Sequence, residues 1–445
     1  MKPEEIDTIE KRGKYTVSVV GCRQIGILYV IAFLDAGYKV ISTDADQSLV
    51  KSLTKGKTSF ADREVKSKLK RFARKGQLSA TSDLKSAVSQ SDIIIITITA
   101  KIDGKKSSDY SEAKKSCKQI GATLRRDTLA IYAGIAGFGF TEGVIKETLE
   151  NASGLRVGED FGLVYNPIHI SNAQIMRPIS NQELKIAAID KTSLNTASTV
   201  LETITEKGIK KIFGIKTLEA AELFTVAKRD ANVALANELA VFCENAGLDY
   251  FEILRFLSPE LQETYFSPTI AEEESRNGTY LLLESAESLP TKLRLTALAR
   301  QINEKMVRHA INLTQDALRS AGKTLRRARV ALLGRAKPKT AALLFAKMLE
   351  KKGTKASLYD PSLSKTERAN MTRMFKRSLN EATEGTDCVV ILSEQAQFKR
   401  LNLKKLRAVM KTPAAIVDLT GIIEPQKVEK EGFIYRGLGR RAEKK

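Results

Sequence analysis

Between Val19 and Gly26 the chain reads VVGCRQIG, and Asp44 follows in ISTDAD. Residue types in this order are suited to holding a dinucleotide. The first glycine of such a turn makes the sharp bend, and the third lets helix and strand pack closely. The middle one lets a pyrophosphate approach the backbone N–H groups at a helix N-terminus. Gly21 and Gly26 fill the outer places, and Arg23 stands in the middle one. An acidic residue about twenty positions on accepts ribose hydroxyls, and Asp44 occupies that place. Thr99, in SDIIIITITA, is a further candidate on the cofactor side. Arg23 admits two readings. Its long side chain fills space the pyrophosphate needs, or its guanidinium swings out and pairs with a phosphate.

Other reactive residue types are sparse. The four cysteines, Cys22, Cys117, Cys243 and Cys388, are scattered without a C-x-x-C pair, which argues against a disulfide framework and a structural zinc site. Only His169 and His309 are available for a histidine-based metal site or a Ser-His-Asp triad, and neither lies in a recognisable pattern. No metal site is expected.

The elements that must position these residues follow from periodicity. TVSVVG reads as a buried strand, QIGILYVIAFLDAG as a helix closed by Gly37, and YKVISTDAD as a second strand. SDIIIITITA and TLAIYAG are further β-branched runs between helical stretches. Such alternation implies a parallel sheet covered on both faces. From about Thr217 the period becomes helical through TLEAAELFTVAKRDANVALANELAVFCENAG. It is helical again in SLPTKLRLTALARQINEKMVRHAINLTQDALRSAG, bounded by Pro290 and Gly322. RVALLG, KASLYDP, DCVVILSE and AAIVDLTG then restore the strand pattern.

At 445 residues the chain exceeds one ordinary core, so two or three domains are expected. Its 42% hydrophobic content supports globular folding. No apolar run reaches the roughly 20 residues of a membrane span. The opening MKPEEIDTIEKRGKY lacks the apolar stretch of a signal peptide, so a cytoplasmic protein is expected. The formal charge is +21, and residues 323–445 carry 29 Lys and Arg against 12 Asp and Glu. A field of that sign attracts phosphates and acidic polymers, or serves solubility alone.

Taken in order, the motifs resemble the UDP-glucose/GDP-mannose dehydrogenase family, the nucleotide-sugar 6-dehydrogenases. The resemblance runs from about Tyr15 to Gly439. It is carried by VVGCRQIG, STDAD, KGKTSF, GQLSATSDLKSAVSQSDIIIITITA, SSDYSEA and ENASGLRVGEDFGLVYNP. The middle contributes AAELFTVAKRDANVALANELAVFCENAGLDYFEIL, YLLLESA and LARQINEKM. The last part contributes RVALLG, LYDP, TDCVVILSEQAQFKRLNL, IVDLTGI and YRGLGR. The resemblance implies two Rossmann-like α/β domains joined by a helical middle and a long connecting helix. Residues 14–213 would bind the dinucleotide, 214–322 would dimerise, and 323–440 would bind UDP. It implies NAD as cofactor, a UDP-sugar as ligand, and a homodimer, or a heterodimer with a related subunit. It also implies oxidation of the sugar C6 alcohol to the acid in two hydride transfers. A cysteine captures the aldehyde, a lysine and an asparagine stabilise the oxyanion, and a glutamate assists as base.

Transferred position by position, that machinery is absent. The cysteine position falls at or near Glu273 in SPTIAEEESRNGTYLLLESA. The family's A-E-x-x-K-x-x-x-N reads from Ala221 and Glu222, with Thr225 for the lysine and Arg229 for the asparagine. Ile168 follows Asn166 and Pro167 in place of the glutamate. AGIAGFGFT replaces S-T-V-P-P-G-T, so its threonine falls on Gly134. Lys337 survives in the C-terminal motif without the aspartates and arginine that should follow Thr340. Lys228, one turn beyond Thr225, is the remaining catalytic candidate. Asn166, Lys228, Asn237 and Lys337 are the substrate-binding candidates.

The reading that follows is a divergent relative that keeps nucleotide or nucleotide-sugar binding and acts as a binding or regulatory partner, with parental oxidation in doubt. One alternative is an active NAD-dependent UDP-sugar dehydrogenase with rearranged residues, in polysaccharide precursor synthesis. Another is a polyanion-binding protein acting through the basic last third. No nucleic-acid motif supports that, and tryptophan is absent.

Overall fold

The computed structural model describes residues 2–58, 63–168, 178–262, 264–270, 273–334, 341–363 and 374–440. The chain gathers into two compact units. One is Met1–Thr225 with Tyr280–Pro290, the other Val226–Thr279 with Thr291–Lys445.

The first unit is organised by eight strands: β1 (Thr16–Val20), β2 (Lys39–Thr43), β3 (Leu78–Thr81), β4 (Ile93–Ile96), β7 (Leu129–Tyr132), β8 (Gly162–Tyr165), β9 (Leu184–Ala188) and β10 (Ile209–Lys211). Two-residue strands β5 (Lys101–Ile102) and β6 (Ser108–Asp109) form a separate antiparallel hairpin. The sheet order is β10-β9-β8-β7-β4-β1-β2-β3, parallel throughout except where β8 meets β9. Strands buried on both faces read as unbroken apolar runs, and β4, Ile-Ile-Ile-Ile, is the extreme case. Its side chains still alternate. Ile93 and Ile95 join Val17, Val19 and Ile131 in one core, while Ile94 and Ile96 join Val20, Ala130 and Tyr132 in the other. Strand order reverses about β1, so the C-terminal ends of β1 and β4 flank the crevice where open α/β sheets take ligands.

The second unit has β11 (Arg329–Leu333), β12 (Lys355–Tyr359), β13 (Cys388–Ile391), β14 (Ala415–Asp418) and β15 (Ile434–Gly437), all parallel, in the order β12-β11-β13-β14-β15. It repeats one local device of the first unit. The Gly334 N–H donates to Tyr359 O at 2.8 Å, as the Gly21 N–H donates to Thr43 O at 2.7 Å. In each unit an aspartate, Asp360 or Asp44, follows directly on the accepting residue.

The long helical periods form Ile215–Ala246 and Arg294–Ser320. The first helix begins in the first unit and continues into the second. Within the second unit Arg300 Nη1 donates to Asp230 Oδ1 at 2.7 Å, with both side chains 2% exposed. Asn303 Nδ2 adds a donor to the same oxygen at 2.8 Å. Burying such a charge pair costs desolvation, which the mutual attraction and these hydrogen bonds to Asp230 Oδ1 offset in part. Among the described residues no helix is long and apolar enough to cross a membrane.

Candidate functional site

The turn after β1 is set by two close approaches. A Cβ placed on Gly26 would lie 1.7 Å from Gly21 O, and one on Gly21 would lie 2.4 Å from Thr97 Oγ1. Gly21 also has φ +107°, in the region that favours glycine. Thr97 Oγ1 donates to Val20 O at 2.8 Å and fixes the end of β4 against the turn. Asp44 is bound into the same loop. It accepts from Cys22 N at 2.8 Å through Oδ2 and from Asp46 N at 2.9 Å through Oδ1. Both carboxylate oxygens are thus aimed by backbone, and each keeps a lone pair for a further donor.

Arg23 is the N-cap of the helix Gln24–Asp35, with φ −86° and ψ −165°, a conformation open to any residue. Its side chain is exposed, and no side chain caps this helix. Helices Gln47–Thr54, Leu84–Ser89 and Lys191–Glu202 are each capped by an aspartate. Uncapped N–H groups at the start of a helix favour an anion. Thr99 lies just past β4 and is exposed.

The loop after β7, AGIAGFGF, is held by side chains. Gly137 N donates to Tyr110 Oη at 3.1 Å, and Phe138 N to Ser285 Oγ at 3.0 Å. Gly139 N and Thr141 N donate to the two oxygens of Glu219 at 2.6 and 2.8 Å. Burial pushes the Glu219 carboxyl above its ordinary range, against the pull of Thr141 and the loop N–H groups. Asn166, at the end of β8, is fully buried. It accepts from Tyr29 Oη at 2.6 Å and donates to Lys185 O at 2.9 Å. Lys185 Nζ stands 3.4 Å from Glu222 Oε1, whose side chain is 1% exposed. Ile168 is buried.

On the helix Ile215–Ala246, Thr225 is exposed, and its hydroxyl donates to Ala221 O at 2.8 Å. Lys228 is exposed. The Arg229 guanidinium lies over the Phe266 ring, 5.8 Å from its centroid. Asn237 is buried, with Nδ2 on Asn303 Oδ1 and Oδ1 on Thr269 N, each at 2.9 Å. Glu273 opens the helix Glu273–Glu287, and its side chain is outside the described residues, as are Lys337 and His169. The structure therefore brings Gly21, Gly26, Asp44 and the Arg23 backbone together in one turn. Asn166 stands at the end of another strand of that sheet.

All four thiols are buried. Burial pushes Cys22 and Cys117 up to about 12, the former despite a Ser42 hydroxyl 3.1 Å away. It raises Cys243 and Cys388 as well. His309 Nε2 meets Glu244 Oε2 at 2.8 Å, and no group of metal-ligating side chains forms among the described residues.

Residues 15–205 match the UDP-glucose/GDP-mannose dehydrogenase family NAD binding domain, residues 216–305 its central domain, and residues 339–425 its UDP binding domain. The chain belongs to the UDP-glucose/GDP-mannose dehydrogenase family. It is similar to the UDP-N-acetyl-D-mannosamine dehydrogenase of Pyrococcus horikoshii, 27% identical over 436 residues that span 95% of this chain and 99% of that protein. The UDP-glucose 6-dehydrogenase of Rhizobium meliloti is 23% identical over 444 residues, covering 95% and 99%. The solved structure of the UDP-D-ManNAc dehydrogenase from Pyrococcus horikoshii matches with a TM-score of 0.82 at 25% identity, over 96% of this chain and 99% of that one.

NAD is the cofactor, and the turn fits it. Neither Gly21 nor Gly26 leaves room for a Cβ, so the backbone forms the cradle itself. The N–H groups opening Gln24–Asp35 would hold the pyrophosphate, and Asp44 the ribose hydroxyls. When bound, NAD supplies a hydride acceptor.

Sequence reasoning missed the Glu219 clamp and the Lys185–Glu222 pair. Glu219 meets N–H groups 78 and 80 positions away, and Lys185 lies 37 positions from Glu222. No local pattern records such contacts. The raised thiols give a direct expectation. At pH 8 a thiol near 12 is ionised to only about one part in ten thousand. With all four thiols buried as well, a disulfide reagent should label none of them in the folded chain, and all four after denaturation. The sign of the linked effect follows. The unfolded thiols ionise first, so stability falls as pH rises above their ordinary value of 9.0.

Proposed function

We propose that this chain binds NAD and a nucleotide sugar but does not carry the sugar alcohol to the acid through a cysteine thioester, and acts as a binding or regulatory relative of the active dehydrogenases. The observation that carries this reading is the state of the thiols. A captured aldehyde needs a thiolate beside the cofactor, and each of the four cysteines is buried, with burial pushing its thiol up. Exposed Thr225 and the Arg229–Phe266 contact supply neither the ammonium nor the amide of the oxyanion site. Gly21, Arg23, Gly26, Asp44 and Thr99 are proposed on the cofactor side, and Asn166, Lys228, Asn237 and Lys337 on the substrate side.

One observation favours an active dehydrogenase with rearranged residues. Lys185 presents a half-exposed ammonium beside buried Glu222, at the end of the sheet where β8 terminates. Such a pair stabilises an alkoxide without any thiol. It supports a single hydride transfer and no further oxidation.

Self-association is proposed through the helical middle. Leu235 and Phe242, 51% and 62% exposed, recur seven residues apart on one helix face, and Phe256 on the helix Tyr250–Phe256 is 82% exposed. Large apolar side chains left open in this way mark an interaction surface, and a second copy of the chain is the proposed occupant.

Two outcomes test these readings. With NAD and a panel of UDP- and GDP-sugars, calorimetry should detect binding while NADH absorbance stays flat. Two NADH per sugar with formation of a uronate would refute the reading, and one NADH per sugar would favour the Lys185–Glu222 alternative. In light scattering the wild type should have twice the chain mass, and Phe242→Glu with Leu235→Glu the monomer mass. A wild-type monomer removes the dimer proposal.

A further inference from the structure

The loops that lead into four neighbouring strands of the second sheet carry an excess of cations. Residues 321–329 enter β11, 352–355 enter β12, 384–388 enter β13 and 410–415 enter β14, and the strands lie side by side in the order β12-β11-β13-β14. Together these loops hold seven Lys and Arg against two Asp and Glu. Arg326, Arg327, Arg329, Lys352, Lys355 and Lys411 are exposed and make no ion pair among the described residues. The seventh cation, Lys323, neutralises buried Asp387 at 2.9 Å.

Backbone bonds fix the loops to one another. Arg327 N donates to Gly353 O, Lys355 N to Ala328 O and Asp387 N to Arg329 O, each at 2.8 Å, and Lys411 N donates to Thr386 O at 2.9 Å. Lys323 Nζ also donates to Lys411 O at 2.8 Å and to Pro413 O at 2.7 Å. The cations therefore form one surface, gathered from four separate stretches of sequence. Arg327 holds φ +70°, in the left-handed region that favours glycine, so an exposed cation is kept where a glycine would be relaxed.

Open α/β sheets take nucleotides at the C-terminal ends of their strands, and this edge is the opposite one. Helix ends account for only part of its charge. The helices Arg294–Ser320, Ala341–Lys351, Leu379–Thr383 and Leu403–Val409 end at these loops. Each helix C-terminus presents at most about half a negative charge, so the four offset about two of the five excess positive charges. Neighbouring strands lie about 4.8 Å apart, and the four lanes span about 14 Å. A nucleic-acid duplex presents one phosphate charge per about 1.7 Å of axis, or about eight over that length. A row of cations of this extent matches a line of phosphates better than one small anion. The loops contain no aromatic residue and expose no large apolar side chain. They offer no ring to stack on an unpaired base, and no apolar anchor for a bilayer or a protein partner.

We propose that this edge of the second sheet binds duplex nucleic acid through its phosphate backbone, without reading the bases. Release of counterions from the duplex drives the contact. The surface is separate from the NAD turn, so the proposal is independent of the reading of the dehydrogenase site.

The test is fluorescence anisotropy of a short labelled DNA duplex titrated with the full chain. With about five phosphates neutralised, affinity should fall a few hundredfold between about 50 and 200 mM salt, and duplexes of unrelated sequence should bind equally. A variant combining Arg326→Gln, Arg327→Gly, Lys352→Gln and Lys411→Gln should bind at least about tenfold more weakly at low salt, with a shallower salt slope. Its thermal unfolding should match the wild type. A control combining Lys85→Gln, Lys114→Gln, Lys115→Gln and Lys118→Gln removes the same charge from exposed helix positions of the first unit. It should keep its affinity within about twofold, because screening confines exposed charges to short range. Equal loss in both variants assigns binding to net charge alone and overturns the proposal, as does an absence of duplex binding at low salt. Tighter binding to a single strand of the same length, or to phosphatidylserine vesicles, overturns the choice of a duplex.

Discussion

The carbonyl of Gly21 lies where any side chain at position 26 would have to be. That contact fixes how the helix Gln24–Asp35 leaves β1, and so where its first N–H groups point. The remaining parts of the cofactor site are arranged around it. Thr97 locks the end of β4 to the turn, Cys22 N aims Asp44, and the reversal of strand order about β1 leaves the crevice open above them. Arg23 sits inside this frame without bending it. On the proposed reading, dinucleotide binding depends on the two outer glycines keeping their shape.

The architecture was legible because parallel strands and amphipathic helices leave periodic traces. β4 is four isoleucines in a row, and the helical period from Thr217 onward became the helix Ile215–Ala246. The meeting of Gly21, Gly26 and Asp44 in one turn was legible for a related reason: they lie within one strand–turn–helix–strand unit, where spacing encodes contact. Interactions that cross the fold left no such trace. Glu219 clamps a loop that follows β7, and Asn166 bridges Tyr29 and Lys185. Likewise Asp230, Arg300 and Asn303 form a buried network between two helices. Each is a pairing of distant positions, set by packing.

On the proposed reading, two kinds of chemistry separate in this member of the nucleotide-sugar dehydrogenase family. Binding chemistry relies on backbone groups and a few aimed carboxylates, and the turn after β1 with Asp44 offers both. Covalent chemistry relies on a thiol that can ionise next to a cofactor, and burial works against that at every cysteine of the chain. Desolvation penalises a thiolate more than a single neighbouring hydroxyl relieves it, as Cys22 beside Ser42 illustrates. The glycine loop after β7 shows how backbone N–H groups stay satisfied there: Tyr110, Ser285 and Glu219 take them.

The most direct test of this separation is peptide mass spectrometry of the protein incubated with NAD and a UDP-sugar, then quenched and digested in acid, which preserves a thioester to the enzyme. Unmodified peptides spanning Cys22, Cys117, Cys243 and Cys388 are the predicted result. A sugar adduct on any one of those sulfurs would contradict it.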